Sequence, residues 1–281
     1  MAVKRPAASR LGDDTVRVRR SYFDCRFGQL HVRTAFPTTG GFDERTTLVC
    51  FHPSPLSSRA YARFLPHIAL ERSVYAPDTP GCGESDAPAG RPGIAEYAAA
   101  MGDFLTQMRF RAVDLLGYHG GALIATELAI QRPEHVRRIV LVGLPISTPQ
   151  ERDAFTRQGN PAPGEDGSHL VREWQRSVEA RGPGVTLETL SESFAEKLRN
   201  GAGAWSATHA AHQYPAAERL PLLRQPVLAL RPRDHTWDAS AQARQLIRGV
   251  KVVDLAEHGA GVFDVAPDVI ARHVCSFLDA G

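Results

Sequence analysis

Short, almost purely apolar runs recur along this chain, and stretches with helical spacing separate most of them. TLVCF (47–51), VDLLGY (113–118), VRRIVLVG (136–143) and PVLAL (226–230) are examples. A continuous apolar run of this length is what a strand covered on both faces requires, and such strands belong to parallel sheets. Strands at 16–25 and 29–35, turning at Phe27–Gly28, read as an antiparallel lead-in. Helices are expected at about 58–70, 94–108, 120–131, 240–248 and 268–278, and further strands at 73–76 and 250–255. The pattern predicts an α/β fold, with a mostly parallel central sheet and right-handed crossovers placing helices on both faces.

The alternation breaks between about 147 and 222. No apolar strand run appears there, and the helical segments are split by NPAPGEDG and RGPG. The expected organisation is a core of residues 1–146 and 223–281, interrupted by a helical cap, or lid, at 147–222. The chain has 281 residues, 43% of them hydrophobic, enough for a sizeable core. With 33 Lys+Arg against 31 Asp+Glu it carries no electrostatic footprint for nucleic acid. The basic lead MAVKRPAASRLGDD is not followed by an apolar stretch, and no run of about 18 apolar residues occurs. The lead reads as a solvated terminus or a weak surface-binding arm. The four cysteines (Cys25, Cys50, Cys82 and Cys275) lie far apart with no CxxC pair. These features predict a reduced, cytoplasmic protein with a small-molecule substrate and no nucleic-acid or membrane partner. A homo-oligomer stays open.

Ligands of open parallel sheets bind beyond the carboxyl ends of the strands. Four such ends carry chemically capable residues: His52-Pro53-Ser54, His119, Asp234 and His258. Gly117-Tyr118-His119-Gly120-Gly121 follows a strand and opens a helix, the context of a nucleophile elbow. With FHPSPLSS, PDTPGCGESD, RPRDHTWD and EHGAGVFDVAPD in order along the chain, the sequence resembles the α/β-hydrolase superfamily from about Tyr22 to Leu278.

The resemblance implies an enzyme, a hydrolase of small molecules, with the elbow, an acid and a histidine as its catalytic residues. The family's elbow carries Ser, Cys or Asp, and here the position is His119. A histidine has no hydroxyl, so an acyl-serine mechanism does not transfer. Three readings of His119 stay open: nucleophile, general base or acid, and inert filler. His258 is expected as general base and acid, with Asp234 orienting its ring and Asp238 as a competitor. His119 and His258 should then face each other across one cavity. The amides of Gly120 and Ser54 are expected to form the oxyanion hole, with His52 beside them. Trp174, Trp205 and Tyr214 are candidates to line a pocket under the cap.

The expected reaction is cleavage of an ester, lactone, thioester or C–C bond beside a carbonyl. A cofactor-free lyase, decarboxylase or oxygenase, or a binding protein without turnover, remains the alternative. No cofactor is implied: PDTPGCGESD lacks the G-x-G-x-x-G spacing and the immediate helix of a dinucleotide loop. Metal binding by His52, His119, His258 and Asp234 has no support from HxH or HxxxH intervals.

Overall fold

The computed structural model describes residues 15–40, 45–159 and 163–280. The basic lead at 1–14 and part of NPAPGEDG lie outside the described residues. Eight strands form one mixed sheet in the order β1-β2-β4-β3-β5-β6-β7-β8. They are β1 (Val16–Cys25), β2 (Gly28–Pro37), β3 (Leu48–Phe51), β4 (Val74–Pro77), β5 (Val113–Tyr118), β6 (Val136–Val142), β7 (Val227–Pro232) and β8 (Lys251–Leu255). β1 pairs with β2, and β2 with β4, antiparallel; every other pairing is parallel.

The apolar runs sit where their composition demands. All residues of β3, β5 and β7 are buried. Their side chains alternate between two cores, as a pleated strand requires. Val49, Phe51 and Leu115 join one cluster, while Leu48, Cys50 and Leu116 join the other. The first face is covered by α2 (Ile94–Gln107) and α3 (Gly120–Gln131), and the second by α12 (Pro267–Leu278). The α3 residues Gly120 through Ala129 are all buried, which explains why that helix shows no polar stripe in the sequence.

Two expected helices are broken. The 58–70 stretch is a 3-10 turn at Ser58–Tyr61 followed by the short α1 (Leu65–Ile68), because Pro66 cannot serve inside a longer helix. The 240–248 stretch is two short helices, α9 (Trp237–Ala241) and α10 (Ala243–Leu246).

Between β6 and β7 the chain is helical: α4 (Pro149–Gln158), α5 (Ser168–Glu179), α6 (Leu187–Arg199), α7 (Gly201–Gln213) and α8 (Ala216–Arg219). Thr148 caps α4 with a reciprocal Glu151 bond, and the Thr186 side chain caps α6. This helical cap is tied to the core at buried points. Glu127 of α3 accepts hydrogen bonds from Tyr214 Oη (2.8 Å) and from Arg219 Nε (3.0 Å) and Nη2 (2.9 Å). Asn200, at the end of α6, donates to Pro55 O (2.5 Å) and accepts from Gly83 N (2.8 Å).

Among the described residues no helix is long and apolar enough to cross a membrane.

Candidate active site

The elbow is built by close approach of backbone. A Cβ on Gly117 would lie 2.3 Å from Gly121 O, and one on Gly121 would lie 2.0 Å from Phe51 O. Only glycine fits at either position. The turn between β5 and α3 therefore presses against β3, and His119 at its apex takes φ 48° and ψ −116°. A non-glycine residue pays strain to hold a positive φ, and such strain concentrates at functional turns. Gly143, just past β6, leaves room for the ring: a Cβ there would lie 2.6 Å from His119 Cδ2.

The imidazole is held on three sides. His119 Nε2 lies 2.7 Å from Asp234 Oδ2. Its ring centroid is 4.0 Å from Tyr118 and 4.7 Å from His235. The His119 side chain is 15% exposed and that of Asp234 only 1%, so the acid is sealed while the imidazole stays reachable. Burial alone would raise the Asp234 carboxyl. The hydrogen bond and charge of His119, with donors from Thr236, outweigh it and hold the group at about 2. Thr236 N–H (2.8 Å) and Oγ1–H (2.6 Å) both donate to Asp234 Oδ1. An ionised carboxylate can only accept, so Nε2 carries a proton, and in the neutral form of the ring the lone pair lies on Nδ1.

His119 stands between two cavities. The first, of about 550 Å³, is lined by Pro53, Tyr118 and Phe263 of the core and Leu190, Phe194 and Lys197 of the cap. The second, of about 470 Å³, is lined by Gly120, Ile146, Glu151, Phe155 and His212. Ser54, His119 and His235 border both. Partly desolvated at this junction and facing the charge of His119, the His235 ring is pushed down to about 4.

Ser54 and Gly120 meet here. A Cβ on Gly120 would come 3.0 Å from Ser54 Oγ. The Gly120 amide opens α3 and has no intrahelical acceptor. Among the described residues neither the Ser54 nor the Gly120 amide donates a backbone hydrogen bond, so both stand available beside the imidazole.

Other expected residues are placed differently. Asp234 was expected to orient His258, but its oxygens are taken by His119 and Thr236. His258 borders neither cavity, so it does not face His119 across a shared space. Its hydrogen bonds among the described residues are made by its backbone, which accepts from Arg233 N and donates to Leu255 O. Asp238 lies in the first turn of α9.

His52 is fully buried and lines neither cavity. Thr79 N–H donates to its Nε2 (2.8 Å), which leaves Nδ1–H to donate to Pro53 O (3.1 Å). The ring thus pins the loop that carries Ser54. Burial, partly offset by Asp78, lowers its basicity.

The cap aromatics are structural contacts. Trp174 packs edge-on against Phe194, Trp205 stacks on His209 beneath Arg91, and Tyr214 bonds Glu127. None of the three lines either cavity. The sequence reading missed Phe194, Leu190 and Lys197 as cap residues of the site, and His235, Thr236 and Gly143 as its supports. His235 and Thr236 stand inside the quoted RPRDHTWD motif, next to the acid, and that adjacency was the available signal.

His119, Asp234 and His235 bring one ligand atom each within 4.8 Å of one another. That donor set suits zinc or non-haem iron by residue type. The arrangement fits a metal poorly, because the Asp234 oxygens are already bonded to His119 and Thr236.

Comparison with known proteins agrees with this architecture. Among curated proteins, the chain is 37% identical over 103 residues to a 2-hydroxymuconate semialdehyde hydrolase of Pseudomonas sp. (strain CF600), covering 34% of this chain and 35% of that protein. The chain thus matches about a third of the length of that relative. It is 25% identical over 248 residues to a haloalkane dehalogenase of Mesorhizobium japonicum, covering 84% of this chain and 77% of the relative. The solved enol-lactonase of Burkholderia xenovorans superposes with a TM-score of 0.77 at 17% identity, over 92% of this chain and 100% of that one. At that identity the likeness concerns the fold alone. The model of the alpha/beta hydrolase fold matches residues 46–258, including the elbow, the acid loop and the cap between them, and the chain belongs to that family.

Proposed function

We propose that the protein is a small-molecule hydrolase that cleaves an ester, lactone, thioester or C–C bond beside a carbonyl, with His119 in place of the family's usual nucleophile. The observation that carries this reading is the 2.7 Å bond between His119 Nε2 and the buried Asp234 carboxylate. It fixes the tautomer that leaves the lone pair of the neutral ring on Nδ1, on a side chain that borders one cavity with Ser54 and Gly120.

In the reaction, a water oxygen attacks the substrate carbonyl carbon while Nδ1 takes the water proton. Asp234 stabilises the imidazolium that forms. The carbonyl π electrons move to oxygen, and the two amides hold that oxyanion. When the intermediate collapses, the scissile bond breaks and the imidazolium returns its proton to the leaving group. The cap, residues 147–222 in this reading, bounds the acyl or leaving-group cavity through Leu190 and Phe194. Small-molecule cleavage also suits the activities of the relatives, a semialdehyde hydrolase and a dehalogenase.

The test is turnover of a panel of activated esters and lactones by wild type and His119→Ala. Loss of turnover in the variant with a retained thermal unfolding transition supports the reading; unchanged turnover refutes it. Intact-mass analysis during turnover separates the two roles of Nδ1. An unmodified protein fits water activation, whereas an acylated His119, discharged by hydroxylamine, makes the imidazole the nucleophile.

A further inference from the structure

A third cavity, of about 280 Å³, opens on the β1–β2 side of the sheet and shares no lining residue with the two around His119. It is lined by Arg20, Tyr22, His31, Arg33, Ser58 and Arg59, together with Asp78 and Glu84. Its chemistry is unlike that of the active site. In the antiparallel register Arg20 stands directly opposite Arg33, and Tyr22 opposite His31. All four therefore share one face of the ladder, and two guanidinium groups face each other where like charges repel. Arg59 approaches from the 3-10 turn after β3.

Polar atoms of this cavity lack partners. His31 Nε2, Arg33 Nε and Ser58 Oγ are buried and make no hydrogen bond among the described residues. His31 is 2% exposed and Ser58 1%. A buried polar atom left unpaired costs about 1–3 kcal/mol, so three around one cavity call for an explanation.

The acids nearby do not supply it. Asp78 accepts from Ser58 N (2.7 Å), His31 Nδ1 (2.8 Å) and Glu84 N (3.0 Å). Glu84 pairs with Arg199 and Arg59, and Glu196 pairs with Arg59, although Glu196 Oε1 has no hydrogen-bond partner. Arg20 and Arg33 have no ion pair among the described residues. What remains is a pair of guanidinium groups with no ion pair among the described residues, a hydroxyl and a ring nitrogen around a small polar space that Asp78 and Glu84 also line.

We propose that this cavity binds a phosphate group, free or as a small monoester, through Arg33 and Arg20, with Ser58 Oγ completing the shell. A tetrahedral dianion offers enough acceptor lone pairs for two planar forks and a hydroxyl together, which a single carboxylate does not. The site lies under the end of α6, whose Glu196 and Arg199 reach Arg59 and Glu84.

The experiment is calorimetric titration of the full chain with inorganic phosphate and with phenyl phosphate, at ionic strength matched by sodium chloride. Saturable binding is expected for wild type and for His119→Ala. Arg33→Met should weaken it at least about tenfold, the loss of one charge-assisted contact, and should leave ester turnover unchanged. Arg20→Gln, at an exposed strand position, gives the same readout if Arg33→Met fails to fold. Tighter binding of phenyl phosphate identifies a monoester; tighter binding of the inorganic ion identifies free phosphate. Heats no larger than those of chloride, or wild-type affinity in both arginine variants, overturn the proposal. So does saturable binding of malonate with none of phosphate.

Discussion

Replacing Asp234 by Asn is a nearly isosteric change whose effect can be worked out atom by atom. Thr236 donates twice to Asp234 Oδ1, from N–H at 2.8 Å and from Oγ1–H at 2.6 Å. The asparagine carbonyl must take that place, since an NH₂ there would face two donors. The amide NH₂ is thereby turned toward His119 Nε2, where the carboxylate oxygen lay at 2.7 Å. Nε2 must now accept, so the ring proton moves to Nδ1 and the basic lone pair is lost from the atom that faces the substrate. Recovering the productive tautomer forfeits a charge-assisted hydrogen bond, about 1.5–3 kcal/mol, and sets two donors against each other, about 1–3 kcal/mol more. A combined barrier increase of about 3–5 kcal/mol corresponds to a fall in kcat between about a hundredfold and ten-thousandfold.

The assay is kcat for the best ester or lactone of the panel, together with ¹⁵N spectra of the imidazole to read the tautomer. KM should move little, because the Asp234 side chain is only 1% exposed and offers a ligand little direct contact. Asp234→Asn turnover within threefold of wild type, with the ring proton still on Nε2, would refute the reasoning.

Further expectations follow from the same contacts. His258→Ala should leave kcat within about threefold of wild type, because the backbone bond from Arg233 N to His258 O survives the change; a loss above about a hundredfold would return that ring to the reaction. Gly121→Ala forces a Cβ to within 2.0 Å of Phe51 O, more than a side-chain shift can absorb, so soluble yield and the cooperative unfolding transition should both collapse. Burial raises the Asp78 and Asp234 carboxyls, but their histidine partners and other donors more than compensate and hold each at about 2, against 3.8 for the free group. The stabilisation, about 2 kcal/mol per group, is complete above about pH 4 and lost as pH falls toward 2; urea midpoints across that range check it, and Asp78→Asn should flatten the slope. Added Zn²⁺ should leave turnover unchanged, because the Asp234 oxygens are already bonded to His119 and Thr236; stoichiometric zinc binding with chelator-reversible inhibition would show that the cluster can hold a metal.

The sheet was legible because its strands are buried on both faces and therefore leave unbroken apolar runs, as in VDLLGY. The elbow was legible for a different reason: glycines at Gly117 and Gly121 mark backbone contacts too close for any Cβ. What the sequence could not carry was which imidazole the acid holds. Both His119 and His258 follow strands, and the choice depends on side-chain direction at the end of β7, which has no sequence period. The cap failed similarly. Trp174 and Trp205 are conspicuous by residue type, yet α5 has no buried residue at all, and the site is lined from α6 by Leu190 and Phe194. Helix α6 exposes much of its length, so its inward residues could be picked out only from the docking of Asn200 and Glu196 against the core.

The change of residue at the elbow and the change of partner at the acid are one event. With a serine at the apex, the hydroxyl would be too short to reach the acid loop, and a second side chain would have to relay between them. An imidazole spans that gap itself: His119 reaches Asp234 Oδ2 directly, and Gly143 supplies the space that its ring needs. Once Thr236 and His119 have filled the carboxylate, no further donor is required of the loop after β8, and that loop is left to close the first cavity with Ala260, Gly261 and Phe263. In the proposed water-activation route base and orienter thus remain and the attacking oxygen comes from solvent, so the open edge of His119, rather than the sealed side chain of Asp234, sets what this site can do.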